Sequence, residues 1–127
     1  MLTLNQISAA LSDAFRRSEH NYVSEHMALE PQDVGKRLYD DPIIKSGSAS
    51  DPLWEELKAP QAVGKLFRAP KDWMPEAKTV ISYFAPFSDF VVEGNRADGI
   101  EVGNGWLYAR VEGQAFLTEM NHYLEQW

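Results

Sequence analysis

Cysteine is absent from the 127 residues of this chain. These residues therefore cannot form disulfides, thiolate zinc sites, cysteine-ligated iron–sulfur clusters or a cysteine nucleophile. Long apolar runs are also missing, because no stretch approaches the roughly 20 apolar residues that span a bilayer. The first residues lack the basic start and the apolar run of a secretory leader. We therefore expect a cytoplasmic protein without membrane contact.

Basic charge is scarce, with 12 Lys and Arg against 19 Asp and Glu and a net charge of −7. The summed field repels polyanions, so we expect no direct nucleic-acid binding by these residues. The three histidines, His20, His26 and His122, do not stand at metal-ligand spacings from one another. The adjacent pairs Asp40-Asp41 and Glu55-Glu56 point in different directions on any regular element, so neither forms an acid–base dyad. The sequence predicts no catalytic residue and no metal ligand in this chain.

Apolar and aromatic residues are sufficient for one core, since 44% of the chain is hydrophobic and it contains four Trp, five Tyr and six Phe. Thr3 and Gln6 have the spacing of a capping box and predict an amphipathic helix over residues 4–18. A long helix is predicted from about Trp106. Its apolar stripe is expected to consist of these residues: Leu107, Val111, Phe116, Leu117, Met120, Tyr123, Leu124 and Trp127.

The strongest strand pattern is Lys78–Ala85, which is rich in β-branched and aromatic residues. Both of its faces are largely apolar, which favours a buried central strand. Residues 46–50 are predicted to form a loop, residues 53–58 a short helix, and residues 88–105 a loop with one helical turn at most. The predicted fold is α+β. A small sheet centred on residues 78–85 is flanked by helices and followed by a long C-terminal helix, as part of a larger α/β unit.

A ligand site is predicted where the strand ends, because open α/β sheets bind ligands beyond the carboxyl ends of their strands. Tyr83 and Phe87 are the candidate aromatic contacts to a cofactor, and Arg96 and Arg110 are candidate anion-binding side chains. The alternative is that the aromatic residues fill the core and the arginines form ion pairs. The acidic side chains available for such pairs are Asp89, Asp98 and Glu112.

Several segments resemble the N-terminal part of epoxyqueuosine reductase-like iron–sulfur proteins. They are Tyr39-Asp40-Asp41-Pro42, Ser48 to Glu55, Trp73 to Ser88, Ser88 to Arg96 and Trp106 to Phe116, and they cover most of the chain from residue 39. The turn that usually reads Pro-Gly-Ala-Lys is Pro75-Glu76-Ala77-Lys78 here.

The resemblance implies that residues 1–127 form one N-terminal domain or subdomain of an iron–sulfur oxidoreductase. In that family this region belongs to an α/β unit that binds cobalamin, and a following cysteine-rich module carries two [4Fe-4S] clusters. The partner of this chain would be that cluster module of its own polypeptide. The chain itself would hold no cofactor and would not be catalytically competent alone. A last helix without a stop signal before Trp127 agrees with truncation ahead of the module.

Two alternatives stay open at the level of the sequence. The chain can be a non-catalytic interaction or scaffolding subdomain that docks on the iron–sulfur module, which the apolar stripe of the last helix favours. It can also be a complete protein that binds a small ligand by itself. A coding sequence that continues past Trp127 into ferredoxin-like cysteine spacings would eliminate the last alternative.

Overall fold

The computed structural model describes residues 2–97 and 99–127 and has the α+β architecture that the sequence predicts. The described residues form five α-helices, two 3-10 turns at Glu19–Asn21 and Pro31–Asp33, and one two-stranded antiparallel sheet. In chain order the elements are α1 Leu4–Arg17, β1 Ile43–Ser48, α2 Leu53–Glu56, α3 Pro70–Trp73, β2 Thr79–Phe84, α4 Asp89–Ala97 and α5 Asn104–Glu125. No helix in the described residues combines the length and the apolarity that a membrane span requires.

The chain divides into two compact units. The helical unit comprises Met1–Ile43 together with Phe84–Trp127, and the sheet unit comprises Ile44–Tyr83.

Helix α1 begins at the predicted capping box. The Gln6 amide donates to Thr3 Oγ1 at 3.2 Å, and the Thr3 amide donates to Gln6 Oε1 at 2.9 Å. This exchange satisfies two of the backbone donors that the first turn of a helix leaves without partners. Phe15 and Leu11 on its buried face have no exposed surface.

Helix α5 spans the range that the sequence predicts but buries a different face. Its buried residues are Gly105, Tyr108, Ala109, Gly113, Phe116 and Met120. Leu107, Val111 and Trp127, which were expected in the stripe, are 37%, 69% and 47% exposed. The predicted stripe is wrong at these positions because small residues, which contribute little to an apolar pattern, allow the close packing on the buried face.

The prediction of a loop with one helical turn over residues 88–105 is wrong for residues 89–97, which form α4. Gly94 and Asn95 lower the helix propensity of this segment, and packing overrides them. Val91 is 1% exposed and lies against α5, where a Cβ on Gly105 would approach the Val91 Cα to 3.0 Å. The missing side chain of Gly105 therefore permits the close approach of α4 and α5.

The sheet unit corrects two expectations. Residues 46–48, predicted as a loop, belong to β1, because the ladder with β2 supplies the backbone hydrogen bonds that Ser and Gly do not favour by themselves. Strand β2 is confirmed, but it is not a buried central strand, since β1 is its partner and Ile81 is 44% exposed. The predicted helix over residues 53–58 is shorter than expected and comprises the four residues of α2.

Candidate functional site

The structure brings two of the four predicted site residues together. Phe87 and Arg110 line a small depression in the helical unit, together with Tyr39 and Trp106. Arg96 lies in the last turn of α4, where it forms an ion pair with Glu93 at 2.7 Å. Tyr83, the fourth predicted residue, belongs to the sheet unit and is half-buried, and burial raises the pKa of its phenol.

Backbone pairing places Tyr39 beside Phe87. The two residues form an antiparallel bridge, flanked by the Asp40 amide donating to the Pro86 carbonyl at 2.9 Å and the Ser88 amide donating to the Leu38 carbonyl at 2.9 Å. The bridge puts both rings on the same side, stacked with centroids 5.1 Å apart and an interplanar angle of 30°.

The Tyr39 ring is the rigid floor of the depression. It stacks on Phe116 with centroids 5.3 Å apart, and its hydroxyl lies 3.4 Å from the Ala109 carbonyl. Gly113 of α5 leaves the space that the ring occupies, because a Cβ there would lie 2.6 Å from the Tyr39 hydroxyl. Burial raises the pKa of the Tyr39 phenol, so this side chain is a neutral surface rather than a base.

A buried asparagine holds the backbone of Tyr39. Asn21 has no exposed surface, accepts from the Tyr39 amide at 2.8 Å, and donates to the carbonyls of Tyr39 and Phe15 at 2.9 Å each. Because both sides of the peptide are bonded, Tyr39 cannot shift without breaking buried hydrogen bonds. Nothing in the sequence pattern around Asn21 indicated this role.

The rim of the depression supplies stacking and positive charge. Phe87 is 42% exposed, Trp106 is half-buried, and Arg110 is exposed without an ion pair or hydrogen bond to any described residue. In the described part of the chain, neither Asp89 nor Glu112 pairs with a predicted arginine. Asp98, the third candidate partner, lies outside the described residues. Within residues 2–97 and 99–127, the Arg110 guanidinium has no anionic partner.

The size of the depression, about 110 Å³, limits what it can hold. Sites for drug-sized ligands usually have roughly 300–1,000 Å³. The depression can take one planar ring or one carboxylate-sized group, stacked on Phe87 or Trp106 and bonded to Arg110. Its lining includes one cation, Arg110, and one phenol, that of Tyr39, whose hydroxyl lies against the Ala109 carbonyl.

Sequence reasoning identified Phe87 and Arg110 but not Tyr39 and Trp106 as members of this site. Their proximity required the tertiary structure.

A second concave surface runs between the C-terminal parts of α1 and α5 and has a volume of about 810 Å³. At one wall Ser18 Oγ donates to Glu119 Oε2 at 2.5 Å, which ties the end of α1 to α5. His122 is exposed and lies 3.0 Å from Glu125 Oε2. No group of three or more His, Asp or Glu side chains that could hold a metal ion occurs in residues 2–97 and 99–127.

Comparison of the chain with protein-family models, with curated proteins and with solved structures found no match.

Proposed function

We propose that this chain is the substrate- and cofactor-side part of an iron–sulfur oxidoreductase that resembles epoxyqueuosine reductase. The observation that supports the proposal is the meeting of three resembling segments on one ring. Tyr39 begins the segment that runs to Pro42, and it contacts Phe87 from the segment Trp73 to Ser88. It also contacts Phe116 and Gly113 from the segment Trp106 to Phe116. The three segments are far apart in the sequence, but all of them pack at the Tyr39 ring. This packing makes them parts of one structural element.

Within such an enzyme the chain would contribute recognition. The Phe87 and Trp106 rings offer stacking surfaces, and Arg110 offers a guanidinium for a carboxylate or phosphate. The two [4Fe-4S] clusters and their redox chemistry would belong to the cysteine-rich module, because this chain has no cysteine.

The described residues do not fit a whole corrinoid in this depression. A corrin ring with its substituents is far larger than the volume of about 110 Å³. The depression can contact one edge or one side group of such a cofactor, and the remaining surface would have to come from elsewhere.

The first experiment reads the coding sequence past Trp127 and records the visible spectrum of the anaerobically purified natural-length protein. We expect ferredoxin-like cysteine spacings and the broad absorption of [4Fe-4S] clusters. Titration with cobalamin, followed in the same spectrum, then tests the corrinoid. A polypeptide without these cysteines would refute the proposal, and unchanged spectra with intact clusters would remove the corrinoid from it.

The second experiment compares Arg110→Ala with Arg96→Ala in the natural-length protein. The assay is the reaction that the resemblance to epoxyqueuosine reductase implies, reduction of an epoxide on a modified tRNA base. Loss of a charged hydrogen bond costs about 1.5–3 kcal/mol, so Arg110→Ala should lower kcat/KM roughly 10- to 150-fold. Arg96→Ala removes only an exposed ion pair with Glu93 and should change kcat/KM less than twofold. Equal effects of both variants would contradict the role of Arg110.

A second candidate function is a non-catalytic interaction subdomain, and the surface of the sheet unit favours it. Leu66 and Trp73 are 84% and 79% exposed, and Met74 is 55% exposed. Apolar exposure of this kind is typical of surfaces that another chain or segment covers. Under this alternative, Trp73→Ser would weaken association with the cluster module while Arg110→Ala would leave activity unchanged.

A further inference from the structure

The outward-facing backbone of β2 can be identified from one hydrogen bond. The Ala49 amide donates to the Lys78 carbonyl at 3.0 Å, so Lys78 directs its backbone groups toward the β1 side. In an antiparallel ladder, the backbone N–H and C=O groups of successive residues point to opposite edges of the strand. Val80 and Ser82 therefore also face β1, whereas Thr79 and Ile81 direct their N–H and C=O groups away from it.

The outer edge of β1 is protected by its own unit. The Ser48 carbonyl accepts from Trp54 Nε1 at 2.9 Å and from the Asp51 amide at 3.3 Å. Strand β1 also contains Lys45, and a charged side chain on an edge opposes pairing with a further strand.

At Thr79 and Ile81 the outer edge of β2 has none of these protections. Residues 79–82 contain no charge, no proline and no glycine, and among the described residues β1 is the only strand paired with β2. Ile81 is 44% exposed and Thr79 is also exposed. Two-stranded sheets are marginally stable in water, and an uncharged open edge is a template for strand addition.

We propose that the outer edge of β2 binds an extended strand of a different polypeptide segment, and that this strand is uncharged along Thr79–Ile81 and ends in an acidic residue opposite Lys78. Lys78 is exposed and has no ion pair within the described residues, so an acidic group beside it would gain a cross-strand partner. The proposal does not depend on the iron–sulfur assignment.

A different segment is favoured over a second copy of this chain on grounds of charge. Two copies would each carry a net charge of −7 and would repel each other. In an antiparallel pair of β2 strands, Lys78 of one copy would lie near residues 82–86 of the other, and none of these residues is acidic.

The test measures amide hydrogen exchange of β2 in the 127-residue chain with a synthetic strand. The probe is a capped hexapeptide of alternating threonine and valine with a C-terminal glutamate. Its matched control is the same peptide N-methylated at every residue, which removes the backbone donors of both edges. At a peptide concentration ten times the dissociation constant we expect roughly tenfold slower exchange at Thr79 and Ile81. The N-methylated peptide should have no effect.

Two variants make the test specific to the edge. Ile81→Pro removes the outward N–H without removing a ladder bond to β1, and it should abolish protection by the peptide. Ile81→Ala removes the apolar side chain, keeps the N–H, and should retain protection. Circular dichroism identifies a variant that fails to fold, and the N-methylated control then decides the test alone.

Three outcomes would overturn the proposal. Equal protection by both peptides would mean that binding uses an apolar face rather than the edge. Absence of protection at millimolar peptide would mean that the edge does not accept a strand. Protection of Thr79 and Ile81 in the chain alone that disappears on dilution would mean that a second copy occupies the edge.

Discussion

Substitution of Gly113 by alanine tests whether Tyr39 is held as rigidly as its contacts indicate. An added Cβ would lie 2.6 Å from the Tyr39 hydroxyl oxygen and 2.9 Å from its Cε2. The ring cannot slide aside, because Phe87 and Phe116 stack on it at 5.1 and 5.3 Å. Its backbone is fixed by Asn21 at 2.8 and 2.9 Å.

Two opposing effects set the magnitude of the change in stability. Alanine in a helix interior is more favourable than glycine by about 1 kcal/mol. Overpacking a rigid site costs about 1–3 kcal/mol, and the shortness of the contact with a fixed ring places Gly113→Ala near the upper end. We therefore expect a net loss of about 1–2 kcal/mol in the free energy of unfolding, or a fall in Tm of about 4–8 °C.

Gly94→Ala is the matched control, because Gly94 is also inside a helix and an added Cβ would meet nothing within 4 Å. This control should raise stability by up to about 1 kcal/mol. Urea unfolding followed by circular dichroism measures both variants. Combining Gly113→Ala with Tyr39→Phe removes the nearest atom and should recover part of the loss. If Gly113→Ala stabilises the chain as much as Gly94→Ala does, the view of Tyr39 as a fixed floor is wrong.

Three further substitutions test other contacts. Asn21→Ala removes three buried hydrogen bonds and should lower the free energy of unfolding by about 3 kcal/mol, whereas the exposed Asn5→Ala should change it by less than about 0.5 kcal/mol in the same urea assay. Tyr108→Phe removes a hydroxyl that donates to Asp33 at 2.7 Å and accepts from the Leu29 amide at 2.7 Å. We expect the free energy of unfolding to fall by about 1–3 kcal/mol and hydrogen exchange of the Leu29 amide to become faster. Arg16 and Arg37 donate hydrogen bonds to the Asp41 carboxylate and lower its pKa. The stabilisation of the fold by these bonds is therefore present above the unfolded-state pKa near 4 and is lost as the pH falls through the folded-state pKa. Asp41→Asn should flatten the decline of the urea midpoint below about pH 4.

Local sequence patterns predicted the elements whose signals are complete within a few residues. The capping box of Thr3 and Gln6 marks the start of α1, and the β-branched and aromatic run marks β2. These predictions are confirmed because capping bonds and strand propensity act over short distances along the chain. The pattern failed at α4, where contact with α5 outweighs the weak helix propensity of Gly94 and Asn95.

The candidate site shows the same division. The position of Phe87 after a strand and the charge of Arg110 could be recognised in the sequence, and the structure brings them to one depression. Tyr39 and Trp106 were missed as site residues because their role depends on a bridge and on helix packing between segments far apart along the chain. Arg96 was predicted beside them, but its side chain pairs with Glu93 on its own helix.

By itself, the sequence determined that no thiolate chemistry takes place in these residues. It also determined the positions of α1, β2 and α5 along the chain and the α+β architecture. Only the tertiary structure decided which face of α5 is buried and that β1 is the strand paired with β2. The physical reason is that composition and capping act locally, whereas burial and strand pairing depend on which distant segments meet.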